Sequence, residues 1–342
     1  MGYLDRGVWR TGYDGARTRN GEFVRRESFF RNFVTADGSS GFRAEPGRYH
    51  LYVSLACPWA HRTLVLRKLK RLEGAISVSI VHPLMREQGW AFSDEPGCIP
   101  DTVNGCDYLH QVYAKARPDY SGRVTVPVLW DKLTGTIVNN ESSEIIRMLN
   151  GEFNAFTDVA ADYYPAALRA EIDEVNAYLY ESVNNGVYQC GFATTQGAYE
   201  RAFDQLFTAL DWAEARLARS RYLAGGQITE ADWRLFTTLV RFGAVYYGHF
   251  KCNLRRIADY PNLSNYLREL YQVPGIAETV SMDHIKRHYH GSHRELNPGG
   301  IVPKGPSLDF DAPHDRERFA ASGGPAARRD ANSAGGTERI SG

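Results

Sequence analysis

Residues Tyr49–Leu69 read YHLYVSLACPWAHRTLVLRKL, and this stretch constrains the fold more than any other. Tyr49, Leu51 and Val53 alternate along it, as one face of a strand does. Pro58 stands where a helix can begin, because its missing N–H costs nothing in a first turn. Leu64, Val65, Leu69 and Leu72 follow at helical spacing, which assigns Arg62, Arg67, Lys68, Lys70 and Arg71 to the outer face. AISVSIVHP then reads as a second strand. Strand, helix and strand in that order imply a parallel, right-handed crossover. Cys57 is pinned where the first strand meets the helix, and the residue three positions on is Ala60. A Cys-x-x-Cys pair could close a disulfide on itself, whereas a solitary thiol must find its redox partner elsewhere.

Downstream, VTVPVLWDKLTGTIVNN reads as two strands joined by a turn at Lys132–Gly135, with a helix from Glu141 through Leu149. The segment from Leu84 to Gly122 is too long for a plain loop, so it is expected to carry function or a helix of its own. After Gly151 the chain turns helical, with apolar residues three and four apart in PAALRAEIDEVNAYLYESVNNGVY and AYERAFDQLFTALDWAEARLARS. Pro165 and Thr229 look like helix starts, and Thr229 with Asp232 has the form of a capping box. Strands followed by helices favour an α/β unit and then an all-α unit. The expected division is an extended arm over 1–46, the α/β unit over 47–150 and the helical unit over 151–296. Residues 297–342 collapse into Gly, Pro, Ser, Ala and Arg and are expected to be a disordered tail.

Bulk composition removes several classes of function. Basic and acidic side chains number 40 each, so no electrostatic reason exists to expect nucleic acid or an anionic membrane surface as partner. No apolar run approaches the ~18 residues of a membrane span. The opening MGYLDRGVWRTGYDG lacks an apolar signal core. Five irregularly spaced cysteines point to a reducing, cytoplasmic setting and not to a disulfide-stapled fold. His284 and His288 share a helix face, yet no cysteine or carboxylate cluster joins them in sequence, so no metal site is expected.

Three features bear on chemistry. A cysteine at a helix N-terminus meets unpaired N–H groups and the positive end of the helix dipole, so the Cys57 thiol is expected to be acidified, unless it is an inert buried residue. Thr125-Val126-Pro127 opens the third strand, where proline fits only at an edge or with a cis bond. A cis bond would turn the Val126 main chain toward Cys57, free to pair with an extended peptide. In NNESSEI, Glu141 and Ser142 open a helix that is either merely capped or suited to the ammonium and carboxylate of an amino acid.

Taken together, these blocks resemble a thioredoxin-fold glutathione transferase. CPWAHR, GRVTVPVLWD and NNESSEIIRMLN resemble the glutathionyl-hydroquinone reductases, the Xi class of that superfamily. NGVYQCGFATTQGAYE, LAGGQITEADWRLF and IKRHYHGSH extend the likeness to about Phe29–Asn297. The resemblance implies a thioredoxin-like βαβ-ββα domain followed by an all-helical domain. It implies Cys57 as nucleophile, and Trp90, Arg123, Val126, Glu141 and Ser142 as the glutathione site. Tyr164, Tyr188 and Tyr289 match tyrosines that line the quinol side; Tyr163, next to Tyr164, makes that match the least certain. It also implies glutathione as co-substrate with no permanently bound cofactor, and a homodimer. The reaction it implies is attack of Cys57 on the sulfur of a glutathionyl-hydroquinone, followed by ping-pong release of glutathione disulfide. The rivals are a conjugating transferase, a glutaredoxin-like or dehydroascorbate-type reductase, and a non-enzymatic glutathione-binding module.

Overall fold

The computed structural model describes residues 2–12 and 20–319. Strand β3 (Tyr49–Val53) is buried along its whole length, and helix α1 (Pro58–Leu69) leads from it to β4 (Ser77–Ile80), which pairs parallel with β3. After the long excursion from Leu84, β6 (Val128–Asp131) runs antiparallel to β3 and turns into β7 (Thr136–Asn139). The four strands form one sheet in the order β4-β3-β6-β7, and α3 (Ser142–Gly151) packs against α1. The third strand begins at Val128 and not at Thr125, because Pro127 has no N–H for a ladder.

The excursion holds α2 (Leu109–Ala116) and a two-residue strand, β5 (Gly122–Arg123). The arm is not simply extended. Its strands β1 (Gly2–Asp5) and β2 (Val8–Thr11) form a hairpin that joins β5 in a second sheet, with Leu4 buried beneath it. The hairpin turn passes through Arg6 and Gly7, both at positive φ, and a Cβ on Gly7 would lie 1.9 Å from the Pro118 carbonyl oxygen. Part of the expected arm, residues 13–19, lies outside the described residues.

The second half is helical: α4 (Arg169–Leu179), α5 (Gly186–Phe192), α6 (Gln196–Leu217), α7 (Glu230–Arg241), α8 (Pro261–Tyr271) and α9 (Met282–Ser292). A π-turn over Tyr180–Asn184 joins α4 to α5, and another over Phe242–Tyr246 follows α7. The Thr229–Asp232 capping box is present, with Asp232 also accepting from the Leu223 amide and the Tyr266 hydroxyl. Pro165 caps a short turn over Ala166–Leu168, and α4 starts after it.

Two expectations fail on packing. Arg62 of α1 and Lys70 at its C-cap are buried, not outward-facing; Lys70 donates to the carbonyls of Val159 and Ala161. The tail is not disordered over 297–319. It lacks the apolar surface for a core of its own, but it borrows one. Arg316, fully buried, donates to the carbonyl of Leu217, in the last turn of α6, and to those of Ser220 and Arg221 just past it. Phe310 packs on Tyr271, and Gln272 donates to the carbonyls of Phe310 and Ala312. The rest of the tail, 320–342, lies outside the described residues. Among the described residues no helix is long and apolar enough to cross a membrane.

Candidate active site

Cys57 is the N-cap of α1, in extended backbone conformation with Pro58 at the first helical position. The loop before it is fixed from the other half of the chain. Arg241, at the end of α7 and fully buried, donates through Nε to the Ala56 carbonyl at 2.8 Å and through Nη2 to the Leu55 carbonyl at 3.0 Å. Its Nη1 reaches His61 Nδ1 at 2.9 Å. A guanidinium only donates, so His61 Nδ1 accepts and its Nε2–H donates to Thr279 Oγ1 at 2.7 Å. Burial, and then the charge of Arg241, hold the His61 imidazole neutral, well below its ordinary range.

The Cys57 thiol lies 3.6 Å from the Val126 carbonyl and donates to it. Burial pushes the thiol up. The amides of Ala60 and Trp59 and the guanidiniums of Arg241 and Arg25 pull it down without cancelling that rise. The expected acidification below the ordinary value is therefore not met. Cys57 is only half-buried and faces an open cavity, where solvent tempers the penalty that a sealed thiol would bear. The helix N-terminus and the two cations keep the thiolate more accessible than burial alone would leave it.

The cavity facing Cys57 has a volume of about 560 Å³. Its polar end rests on β6, α3 and the arm. The Val126–Pro127 bond is cis, and Val126 lines the cavity. Tyr113 braces this turn by donating to the Thr125 carbonyl at 2.8 Å, and Asn140 donates to the Tyr113 hydroxyl. Glu141 is the N-cap of α3. Its carboxylate accepts from the Ser143 amide at 3.1 Å, from the Ser143 hydroxyl at 2.9 Å and from Ser28 of the arm at 3.0 Å. Burial pushes Glu141 up, but the Ser143 amide and hydroxyl, Arg62 and Ser28 outweigh it, and the carboxyl sits below its ordinary range. Ser142 is buried, with its hydroxyl 3.4 Å from Arg62 Nη1. Burial and the like charge of Arg234 bring the Arg62 guanidinium down to about 9. Trp90 and Arg123 line the same cavity, and the Trp90 ring stacks on His288 at 4.8 Å.

The aromatic end is built from distant segments. Trp59 of α1, Tyr188 and Phe192 of α5, and Tyr289 of α9 line it. The Tyr188 and Tyr289 hydroxyls are 2.6 Å apart, and Tyr246 from behind reaches Tyr289 at 3.1 Å. Burial raises all three phenols above their ordinary value. Arg25 lies with its guanidinium carbon 4.7 Å from the centres of both the Trp59 and Tyr188 rings.

Eight of the nine residues singled out from sequence thus line one cavity: Cys57, Trp90, Arg123, Val126, Glu141, Ser142, Tyr188 and Tyr289. Tyr164 is not on its wall. Its hydroxyl donates to Asp173 at 2.7 Å, and Arg147 covers its ring at 3.8 Å. Sequence reasoning missed Arg25, Trp59, Arg62, Arg241 and Tyr246. Trp59 and Arg62 stand three apart in α1, so helical spacing placed them on one face. Nothing local marks Arg25 or Arg241. The other cysteines do not line the cavity, and the described cysteines are all free. His284 and His288 each face a backbone carbonyl, of Pro96 and Pro83, and among the described residues no His, Cys, Asp and Glu group is arranged to hold a metal.

Known proteins share this fold and much of this sequence. Residues 56–152 match the glutathione S-transferase N-terminal domain and residues 196–269 its C-terminal domain. The chain is 56% identical to glutathionyl-hydroquinone reductase YqjG of Escherichia coli over 93% of its own length and 99% of that protein. It is also 56% identical to glutathionyl-hydroquinone reductase PcpF of Sphingobium chlorophenolicum, over 90% of the chain and 97% of the relative. Among solved structures, a Xi-class transferase from Natrialba magadii superposes with a TM-score of 0.89 at 52% identity, covering 94% of this chain and 98% of that one. The glutathione-bound structure of Escherichia coli YqjG superposes with a TM-score of 0.86 at 55% identity, covering 93% and 100%.

Proposed function

The chain belongs to the Xi class of glutathione transferases, the glutathionyl-hydroquinone reductases, and from that premise we propose that it strips glutathione from glutathionyl-hydroquinones at Cys57. The observation that carries this reading is a solitary cavity thiol with a peptide-binding edge on one side and paired phenols on the other. Glutathione lies along Val126, with its γ-glutamyl end at Glu141 and Ser142 and with Trp90 and Arg123 beside it. The hydroquinone ring lies against Tyr188 and Tyr289. Residues 47–150 hold the tripeptide, and the helical half over 151–296 supplies most of the ring pocket.

The first step forms the Cys57–glutathione S–S bond and breaks the C–S bond. The ring carbon that bears sulfur first takes a proton as the adjacent hydroxyl becomes a ketone. Cys57 thiolate then attacks sulfur, the C–S electron pair enters the ring, and the ketone oxygen becomes a phenolate that picks up a proton. Two sulfurs are oxidised to a disulfide, the ring carbon is reduced, and the Cys57 thiol hydrogen balances the one the ring gains. A second glutathione then attacks the mixed disulfide, giving glutathione disulfide and free Cys57. Ala60 in place of a second cysteine leaves this external thiol as the one able to resolve it. When the cysteinyl N–H of glutathione takes the Val126 carbonyl as its acceptor, the Cys57 thiol loses that partner, which favours its ionisation. A homodimer in the cytoplasm is part of the same reading, supported by the family pattern and by free cysteines throughout the described chain.

Mixing the protein with one equivalent of a glutathionyl-hydroquinone tests the reading. Mass spectrometry should find one glutathionyl group on Cys57 and free hydroquinone in solution. No adduct, or a Cys57→Ser protein that turns over at the parental rate, sinks it.

A further inference from the structure

Arg25 comes from the irregular segment ahead of the sheet, upstream of both matched family domains. Its Nε donates to Asn185 Oδ1 at 2.9 Å, while its Nη2 is buried and has no hydrogen-bond partner. Its guanidinium carbon lies 4.7 Å from the ring centres of Trp59 and Tyr188 and 5.3 Å from that of Phe23. Among the described residues no carboxylate forms an ion pair with it. A cation so placed keeps its charge for whatever enters the cavity, and three aromatic faces hold its plane. The charge is felt at the reacting groups, since it pulls down both the Cys57 thiol and the Tyr188 phenol.

The tyrosines alone do not meet the electrostatic demand of the reaction. Tyr188, Tyr289 and Tyr246 share two hydrogen bonds, which use two of their three hydroxyl hydrogens and leave one to donate outward. That single neutral donor faces a ring oxygen that must become a phenolate. We propose that Arg25 is a further catalytic residue, whose guanidinium pairs with the ring oxygen of the departing hydroquinone while the tyrosine chain supplies one hydrogen bond. The proposal rests on the reductase reading above. Its position among Trp59, Tyr188 and Phe23 assigns Arg25 to the ring and not to a glutathione carboxylate, because Glu141, Ser142 and Val126 mark the tripeptide end. The arm thereby contributes at both ends of the cavity, Ser28 at Glu141 and Arg25 at the ring.

The test compares two substrates on the full-length enzyme. One is a glutathionyl-hydroquinone; the other is the mixed disulfide of glutathione and 2-mercaptoethanol, which uses Cys57 but has no ring oxygen. Arg25→Gln should lower kcat/KM for the quinol adduct about 100-fold, the scale of removing one donor aimed at developing charge. Turnover of the mixed disulfide should fall by no more than about tenfold, through the weaker pull of Arg25 on the Cys57 thiol, and the Kd for glutathione should stay within about threefold. Arg25→Lys, which keeps the charge, should recover most of the loss. The loss in Arg25→Gln should shrink with chlorinated hydroquinone adducts, whose oxygens are weaker bases. Equal losses on both substrates overturn the proposal while leaving the reductase reading intact, as does a selective loss of glutathione affinity. If the parental enzyme fails to turn over the quinol adduct, the reductase reading and the role of Arg25 fall together.

Discussion

At one end of the Cys57 cavity the Glu141 carboxylate accepts hydrogen bonds from Ser143 and Ser28, beside the braced turn at Val126. At the other end the hydroxyls of Tyr188, Tyr289 and Tyr246 bond to one another, and Arg25 lies on ring faces. The first end holds a fixed charge in a fixed direction, which suits a ligand part that never varies. The second ties its hydroxyls mainly to one another and offers rings and one uncompensated guanidinium, which suits a part that varies in shape and substitution. The difference implies that binding of glutathione and chemistry at the quinol can be damaged separately.

The sharpest break should come at the aromatic end. Replacing Tyr188 and Tyr289 together by Phe should lower quinol-adduct turnover about 100-fold. Mixed-disulfide turnover should change little, and steady-state kinetics on both substrates checks this. Equal losses would mean that the phenols serve the thiol and not the ring. Acid should bear on the fold as well as on the cavity. His50, in β3, and His288, on the cavity wall, are each held down at about 4 by burial, against an ordinary 6.5. Each is neutral when folded and gains a proton on unfolding once the pH is below about 6.5. Stability should therefore be flat above pH 7 and fall from about 6.5 towards 4, by about 2 kcal/mol for each of the two at pH 5. Urea unfolding at pH 7.5 and pH 5 reads this, and a rise in stability with acid would reverse the sign.

At the polar end, Glu141→Gln should weaken glutathione about tenfold, the loss of a charge-assisted hydrogen bond to its ammonium. The rate of the quinol step at saturation should be nearly unchanged. Calorimetric titration with glutathione measures the affinity, and an undiminished Kd would move the γ-glutamyl end away from α3. Tyr164→Phe should be the mildest change, within about twofold on either substrate, because Tyr164 is not on the cavity wall and its hydroxyl is spent on Asp173. A large loss there would return Tyr164 to the quinol side.

The same contrast explains what could be read in advance. The β3–Cys57–α1 junction and the β6–β7–Glu141 run are continuous in sequence, so alternation, helical spacing and two prolines reveal them. The family likeness then brought Trp90, Arg123, Tyr188 and Tyr289 to the same cavity, but it left Tyr164 misplaced. The aromatic wall gathers Arg25, Trp59, Tyr188 and Tyr289 from four separated segments, and no local periodicity joins them. The sign of the Cys57 shift depends on how burial competes with the amides and with Arg241. That competition is a property of the packed state. Residues 297–319 misled because composition reports what a segment can bury alone, whereas Arg316 finds its carbonyls at and just past the end of α6.

The reach of Arg241 to Leu55 and Ala56 has an engineering consequence. The bend that presents the sulfur is held jointly by both halves of the chain. A chimera that grafts this N-terminal half onto a foreign bundle must bring a guanidinium to the same spot. Without it, two carbonyls would be stranded next to the nucleophile.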